Sequence, residues 1–129
     1  MNKIILLIDD QKTHREKILK ELNDSPLGND YVVIEAESGQ IGLDKYRQFK
    51  ENISIMLVDY HMPDMDGLEM LRKLKKTFPN DVSKTKFFIV TTEVNQTFID
   101  EGKALGMLSA WLIKPFSVSK VLSVLATSP

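Results

Sequence analysis

The sequence predicts an α/β fold built on a doubly wound parallel sheet, and three observations predict it. Five short runs rich in Ile, Val, Leu and Phe do not alternate with polar residues, which is how strands buried on both faces read. Amphipathic stretches at helical spacing separate those runs. Strand and helix therefore alternate along the chain, and that alternation folds as a parallel sheet with right-handed crossovers.

The first strand is Ile4–Ile8, an unbroken apolar run that stops at Asp9-Asp10. A helix beginning near Lys12 follows, with Ile18 and Leu22 on its apolar stripe. Val32–Ala36 is the second strand, with a start one residue earlier, at Tyr31, as the alternative boundary. Ser38 is an N-cap residue for a second helix carrying Leu43, Tyr46 and Phe49. The third strand, Ile55–Val58, stops at Asp59. Gly67 opens a third helix with Leu68, Leu71, Leu74 and Phe78 at helical spacing, and Pro79 ends it. The polar stretch Asn80–Lys86 reads as an exposed loop. Phe87–Val90 is the fourth strand and stops at Thr91-Thr92. Asn95 caps a fourth helix bearing Phe98, Ile99 and Leu105, closed by Gly106. The fifth strand, Ala110–Ile113, stops at Lys114-Pro115. Ser117 caps a fifth helix with Val118, Val121, Leu122 and Leu125.

Composition narrows the function. At 129 residues the chain suits one domain able to bury a core without staples. It has no cysteine, which removes disulfide and thiolate chemistry and makes a reducing, cytoplasmic setting the expectation. The net charge of −1, with no basic block, argues against nucleic-acid binding by this chain. No apolar run approaches the ~20 residues of a membrane span. Lys3 alone precedes the first apolar run, and two aspartates come directly after it, which is unlike a secretory signal. Residues 1–129 are read as a single domain with no output domain attached.

In a parallel sheet, the polar residues that end these strands lie on one edge, where open α/β sheets bind ligands. Asp9, Asp10, Asp59, Thr91 and Lys114 would then converge. Taken singly, each has an ordinary explanation. Asp favours turns and caps, Thr favours strands, and Lys favours surfaces. Together they form a set of acids, a hydroxyl and an ammonium suited to a divalent cation and a phosphoryl group. Adjacent carboxylates repel unless a cation neutralises them, and Mg²⁺ takes hard oxygen ligands of this type. A carboxylate can also act as nucleophile and form an aspartyl phosphate. Met62-Pro63 and Asp66-Gly67 are turn signals that explain the loop after Asp59, but not why an acid ends the strand. Lys114-Pro115 is an X-Pro pair, for which a cis bond is accessible.

These residues, with Met62-Pro63-x-Met65-Asp66-Gly67 and Lys114-Pro115-Phe116, closely resemble the receiver domain of two-component response regulators, in its CheY-like stand-alone form. The resemblance covers nearly the whole chain, and the ordered set is far more specific than any one piece. It implies a flavodoxin-like, five-stranded sheet of order 2-1-3-4-5 with five helices. It implies that Asp59 accepts a phosphoryl group from a histidine kinase, in a protein that assists its own phosphorylation and dephosphorylation without being an enzyme in the usual sense. It implies Mg²⁺, with Mn²⁺ as a substitute, held by Asp10, Asp59 and the backbone carbonyl of His61, with Asp9 acting indirectly. Thr91 and Lys114 would hold phosphoryl oxygens. Thr91 and Trp111 would be the switch residues, and the output face would run over the fourth helix, fifth strand and fifth helix. His61, Thr92 and Glu93 occupy positions that tune the phosphate lifetime, and Thr92 stands where a smaller residue is common.

The implied partners are a sensor histidine kinase, a downstream target such as a flagellar motor switch in chemotaxis, and a phosphatase. A phosphorelay intermediate, or a receiver cut from a longer regulator, would have the same sequence features. A flavoprotein of the same topology needs a phosphate-cradling loop after the first strand, where this chain has Asp9-Asp10-Gln11-Lys12. A pseudo-receiver is disfavoured by the intact Asp10, Asp59, Thr91 and Lys114. A phosphatase acting on external substrates lacks a second acid placed to activate water.

Overall fold

The structure, a computed structural model, describes residues 3–127. Five parallel strands stand in the order β2-β1-β3-β4-β5. They are β1 (Lys3–Ile8), β2 (Tyr31–Ala36), β3 (Ile53–Asp59), β4 (Lys86–Thr91) and β5 (Leu108–Ile113). The helices are α1 (Lys12–Asn23), α2 (Leu27–Asp30), α3 (Gly39–Phe49), α4 (Gly67–Thr77), α5 (Gln96–Leu105) and α6 (Val118–Thr127). The expected strand order is observed, with one more helix than expected. The addition is α2, four residues long and too short to leave a periodic pattern in the sequence. It forms because Ser25 turns the chain, its Oγ accepting the Leu27 N–H, while Leu27 is buried in the core.

Strand side chains alternate between two core layers, as the period of a strand requires. Leu6, Ile8, Met56, Val58, Phe87 and Ile89 face α3, α4 and α5. Ile5, Leu7, Leu57, Phe88 and Val90 face α1 and α6. Ile53 and Ile55 have the same parity yet enter opposite layers. A register shift of β1 against β3 between Ile4 and Ile5 accounts for this, because one extra residue reverses the facing of every later side chain in the strand. A second shift between Phe87 and Phe88 does the same for Leu108 and Ala110 in β5. Each fully buried Leu, Ile or Phe contributes about 1.5–3 kcal/mol.

The expected helix starts are observed. Ser38 Oγ accepts the Ile41 N–H at 3.1 Å, and Asn95 Oδ1 accepts the Phe98 N–H at 2.9 Å. Ahead of Gly67, Asp66 Oδ1 accepts from Glu69 N at 2.8 Å. Ser117 Oγ accepts a long bond from Ser119 N, at 3.4 Å, where α6 begins. The expected exposed loop before β4 is corrected in part. It contains a 3₁₀ turn at Val82–Lys84 and ends on Thr85, which is buried. The Thr85 hydroxyl donates to the Ile53 carbonyl at 2.9 Å and lies 3.2 Å from the Tyr46 hydroxyl. That buried pairing satisfies polar groups that hydropathy alone placed in water.

Gly106 closes α5 at φ 76°, the left-handed region that side chains with a Cβ adopt at a penalty. Nothing lies within 4 Å of the position its Cβ would take, so the penalty is purely one of backbone conformation. Gly106→Ala is expected to lower stability by about 1 kcal/mol, read as a lower urea midpoint at unchanged slope.

Candidate functional site

The C-terminal edge of the sheet assembles the site. β1 ends one residue before Asp9, β3 ends on Asp59, β4 ends on Thr91, and β5 ends one residue before Lys114. Parallel pairing brings these ends level, with Asp59 registered against Val90 and Thr91 against Ile113. Carboxylate oxygens of Asp9, Asp10 and Asp59 lie within 4.8 Å of one another. Asp9 and Asp59 are buried, while Asp10 is exposed. Lys114 Nζ stands 3.2 Å from Asp59 Oδ1 as an ion pair. The Lys114-Pro115 bond is cis, and the Lys114 N–H donates to the Thr91 carbonyl at 2.8 Å.

Burial pushes the Asp59 carboxyl up from its ordinary value, and the neighbouring Asp9 charge pushes it the same way. Lys114 opposes both without cancelling them. Three buried polar atoms have no hydrogen-bond partner among the described residues: Asp9 Oδ2, Asp59 Oδ1 and Thr91 Oγ1. The Lys114 ammonium is close to Asp59 Oδ1 but lacks hydrogen-bond alignment. Unsatisfied buried oxygens are rare in folded proteins, and here two of them belong to the acid cluster. Their electron-rich, hard donor set fits a divalent cation such as Mg²⁺.

A cleft of about 490 Å³ opens beside these acids, with Asp10, Asp59, His61, Thr92 and Lys114 on its wall. His61 is exposed, and its ring packs edge-on against Tyr60. Thr92 and Glu93 are exposed, but Glu93 is not part of that wall. Thr91 is fully buried and does not line the cleft either. Trp111 is half-buried and does not line the cleft. Its ring stacks on Phe98 at 5.5 Å and 11°, and Phe98 in turn lies 4.5 Å from Tyr60, the residue after Asp59. An aromatic cluster thus joins the loop after β3 to α5 and β5.

The sequence reading missed two residues here. His14 Nδ1 lies 3.5 Å from both Asp9 Oδ2 and Lys114 Nζ, on the first turns of α1. Its place four residues after Asp10 was the available signal, because the helix after β1 rises from the same sheet edge. Asp64, exposed in the loop after β3, accepts backbone N–H bonds from Gly39 at 3.1 Å and Gln40 at 2.8 Å. Partial burial works against its ionisation, yet the N–H groups of Gln40 and Gly39 hold the carboxyl below its ordinary value. Those partners lie 25 and 24 residues away in sequence, so no local pattern announces them.

The family model of the response regulator receiver domain matches residues 5–126. The sporulation initiation phosphotransferase F of Bacillus subtilis is 32% identical over 121 residues, covering 94% of this chain and 89% of that protein. The chemotaxis protein CheY of Thermotoga maritima is 29% identical, covering 97% of this chain and 96% of that protein. The solved structure of the chemotaxis response regulator CheY4 of Vibrio cholerae superposes with a TM-score of 0.78 at 27% identity, covering 98% of each chain. Receiver domains are phosphoacceptor signalling domains that work with histidine kinases and downstream targets. A family match across nearly all of the sequence, together with the shared strand order, shows that this chain belongs to the response regulator receiver domain family.

Proposed function

We propose that this protein is a phosphorylation switch whose acceptor is Asp59. One observation carries the reading: a buried carboxylate with a raised pKa has a lysine ammonium at 3.2 Å and two further acids within 4.8 Å. Asp10, Asp59 and the His61 carbonyl would hold Mg²⁺, with Asp9 acting behind them, and Mn²⁺ suits the same oxygens. When bound, the ion neutralises negative charge as two anionic groups approach each other.

A carboxylate oxygen of Asp59 attacks the phosphorus of a kinase phosphohistidine. The new O–P bond forms as the P–N bond breaks, and the leaving imidazole keeps the electron pair and takes up a proton. Lys114 neutralises one phosphoryl oxygen and the Thr91 hydroxyl donates to another. Thr91 moves toward the phosphoryl group, Trp111 follows, and the surface of α5, β5 and α6 changes. His61, two residues after the acceptor, and Thr92 and Glu93, directly after Thr91, set how fast water removes the group.

The target is proposed to lie in chemotaxis, as a flagellar motor switch, with a phosphatase ending the signal. Similarity to proteins named for chemotaxis supports this reading. Similarity to a protein named a phosphotransferase of sporulation initiation supports a second one, a phosphorelay intermediate. The experiment is incubation with acetyl phosphate and MgCl₂, read by intact mass and by Trp111 fluorescence. One phosphoryl group per chain, Mg²⁺-dependent and accompanied by a fluorescence change, is the expected result. No uptake would overturn the reading. Phosphorylation-dependent binding to a motor-switch protein favours chemotaxis, whereas onward transfer to a second histidine protein favours the relay.

A further inference from the structure

The loop from Tyr60 to Asp66 connects β3 to α4 and carries the His61 carbonyl. Its ends are fixed by backbone bonds: the Tyr60 N–H donates to Val90 O at 2.9 Å and the Gly67 N–H donates to Tyr60 O at 2.9 Å. Between them, among the described residues, the hydrogen bonds that tie His61–Met65 to another element are those accepted by Asp64. Both carboxylate oxygens are used, Oδ1 by Gly39 and Oδ2 by Gln40.

Those two N–H groups are the first of α3, which the helix cannot satisfy for itself. Ser38 Oγ satisfies the third, from Ile41, and the regular helix ladder begins with the Gly42 N–H donating to the Ser38 carbonyl. Of these first three N–H groups, one is capped by Ser38 and two by a side chain from the acceptor loop. A negative charge placed there is favoured by the helix dipole as well as by the bonds. Met65, next to Asp64, is buried and occupies the space a Cβ at Gly39 would need, so the loop tip is seated closely on α3.

We propose that Asp64 is a positioning residue. By clamping the acceptor loop to the N-terminus of α3, it sets where the His61 carbonyl stands and so how tightly the site holds a divalent cation. This rests on the reading of the His61 carbonyl as a cation ligand. Asp64 is two residues from Asp66 and three from His61, so a tether at that point leaves the peptide little freedom. Without it, the loop keeps its ends but loses its grip in the middle, and the cation must then order it on binding.

Ser38 supplies the control, because it caps the same helix and, among the described residues, makes no hydrogen bond to the loop. MgCl₂ would be titrated calorimetrically into the wild type, Asp64→Ala, Asp64→Asn and Ser38→Ala, with urea unfolding of each in EDTA. Both alanine variants are expected to be destabilised to a similar degree. Asp64→Ala is expected to weaken Mg²⁺ binding about tenfold, the size seen when groups that orient metal ligands are removed. Asp64→Asn, which keeps one accepting oxygen, should lie between, and Ser38→Ala should bind as the wild type does. Equal weakening in Asp64→Ala and Ser38→Ala, or no weakening in either, overturns the proposal. No Mg²⁺ binding by the wild type would instead overturn the reading of the site itself.

Discussion

Asp59→Asn is expected to abolish phosphoryl uptake and, at neutral pH without divalent cations, to make the protein more stable than the wild type. The residue is 3% exposed, and one of its oxygens has no aligned partner. Burial and the Asp9 charge both disfavour its ionised form. Linkage gives the sign. A carboxyl whose folded pKa lies above its ordinary 3.8 binds its proton more tightly when folded. Its ionisation therefore opposes folding above the folded pKa, and that opposition fades as pH falls toward 3.8. The neutral amide never ionises, so the variant should gain about 1 kcal/mol at pH 7, within the range of stabilising changes at strained functional sites. Urea unfolding in EDTA at pH 7 and at pH 4 checks this, and the two proteins should converge at the lower pH. Adding Mg²⁺ should close the gap and then reverse it, by stabilising the wild type selectively; at a hundred times the dissociation constant that gain is about 2.7 kcal/mol. A variant less stable than the wild type at pH 7 would mean that Lys114 outweighs burial and Asp9.

Thr91→Val is expected to behave in a parallel way at a different step. The Thr91 side chain is fully buried, and its hydroxyl has no partner among the described residues. A buried, unsatisfied hydroxyl costs about 1–3 kcal/mol, and a same-shaped apolar replacement removes that penalty without opening a cavity. Valine also keeps the β-branching that suits the end of β4. The metal-free variant should therefore be more stable by about 1 kcal/mol. Phosphoryl uptake should persist, because Asp59 and Lys114 are untouched, but the Trp111 fluorescence change that accompanies it should be lost or much reduced. Thr91→Ser, which keeps the hydroxyl, should retain the response. If Thr91→Val signals normally through Trp111, then Thr91 has no part in the switch. Both predictions rest on one principle: buried polar groups left unpaired at this sheet edge lower the stability of the metal-free protein.

Much of this was legible in the chain as a string of residues. Apolar runs that do not alternate marked the five strands; in β1, β3 and β4 the reason is that a strand covered on both faces has little cause to carry polar side chains, whereas the edge strands β2 and β5 leave Val32 and Ile113 exposed. Ser38, Asn95, Gly67 and Gly106 marked helix ends, because capping is a local interaction between a side chain and backbone groups within a few residues. Asp9, Asp10, Asp59 and Lys114 could be grouped before any coordinates, because parallel strands put all their C-terminal ends on one edge. The rest depends on contacts between distant segments. Helix α2 is too short to be periodic, and Thr85 is buried only because Tyr46 and Ile53 come to meet it.

The sequence by itself therefore determined the order of elements, their capping and the kinds of group brought to the sheet edge, since each arises from interactions spanning a few residues or from strand direction. Only the tertiary structure decided how those groups are held. It placed His14 between Asp9 and Lys114, stacked Trp111 on Phe98 beside Tyr60, and set Asp64 on the first N–H groups of α3. The physical reason is that burial, charge pairing and hydrogen-bond satisfaction depend on neighbours in space. A residue's neighbours in space are chosen by the packing of whole elements, not by the residues beside it in the chain.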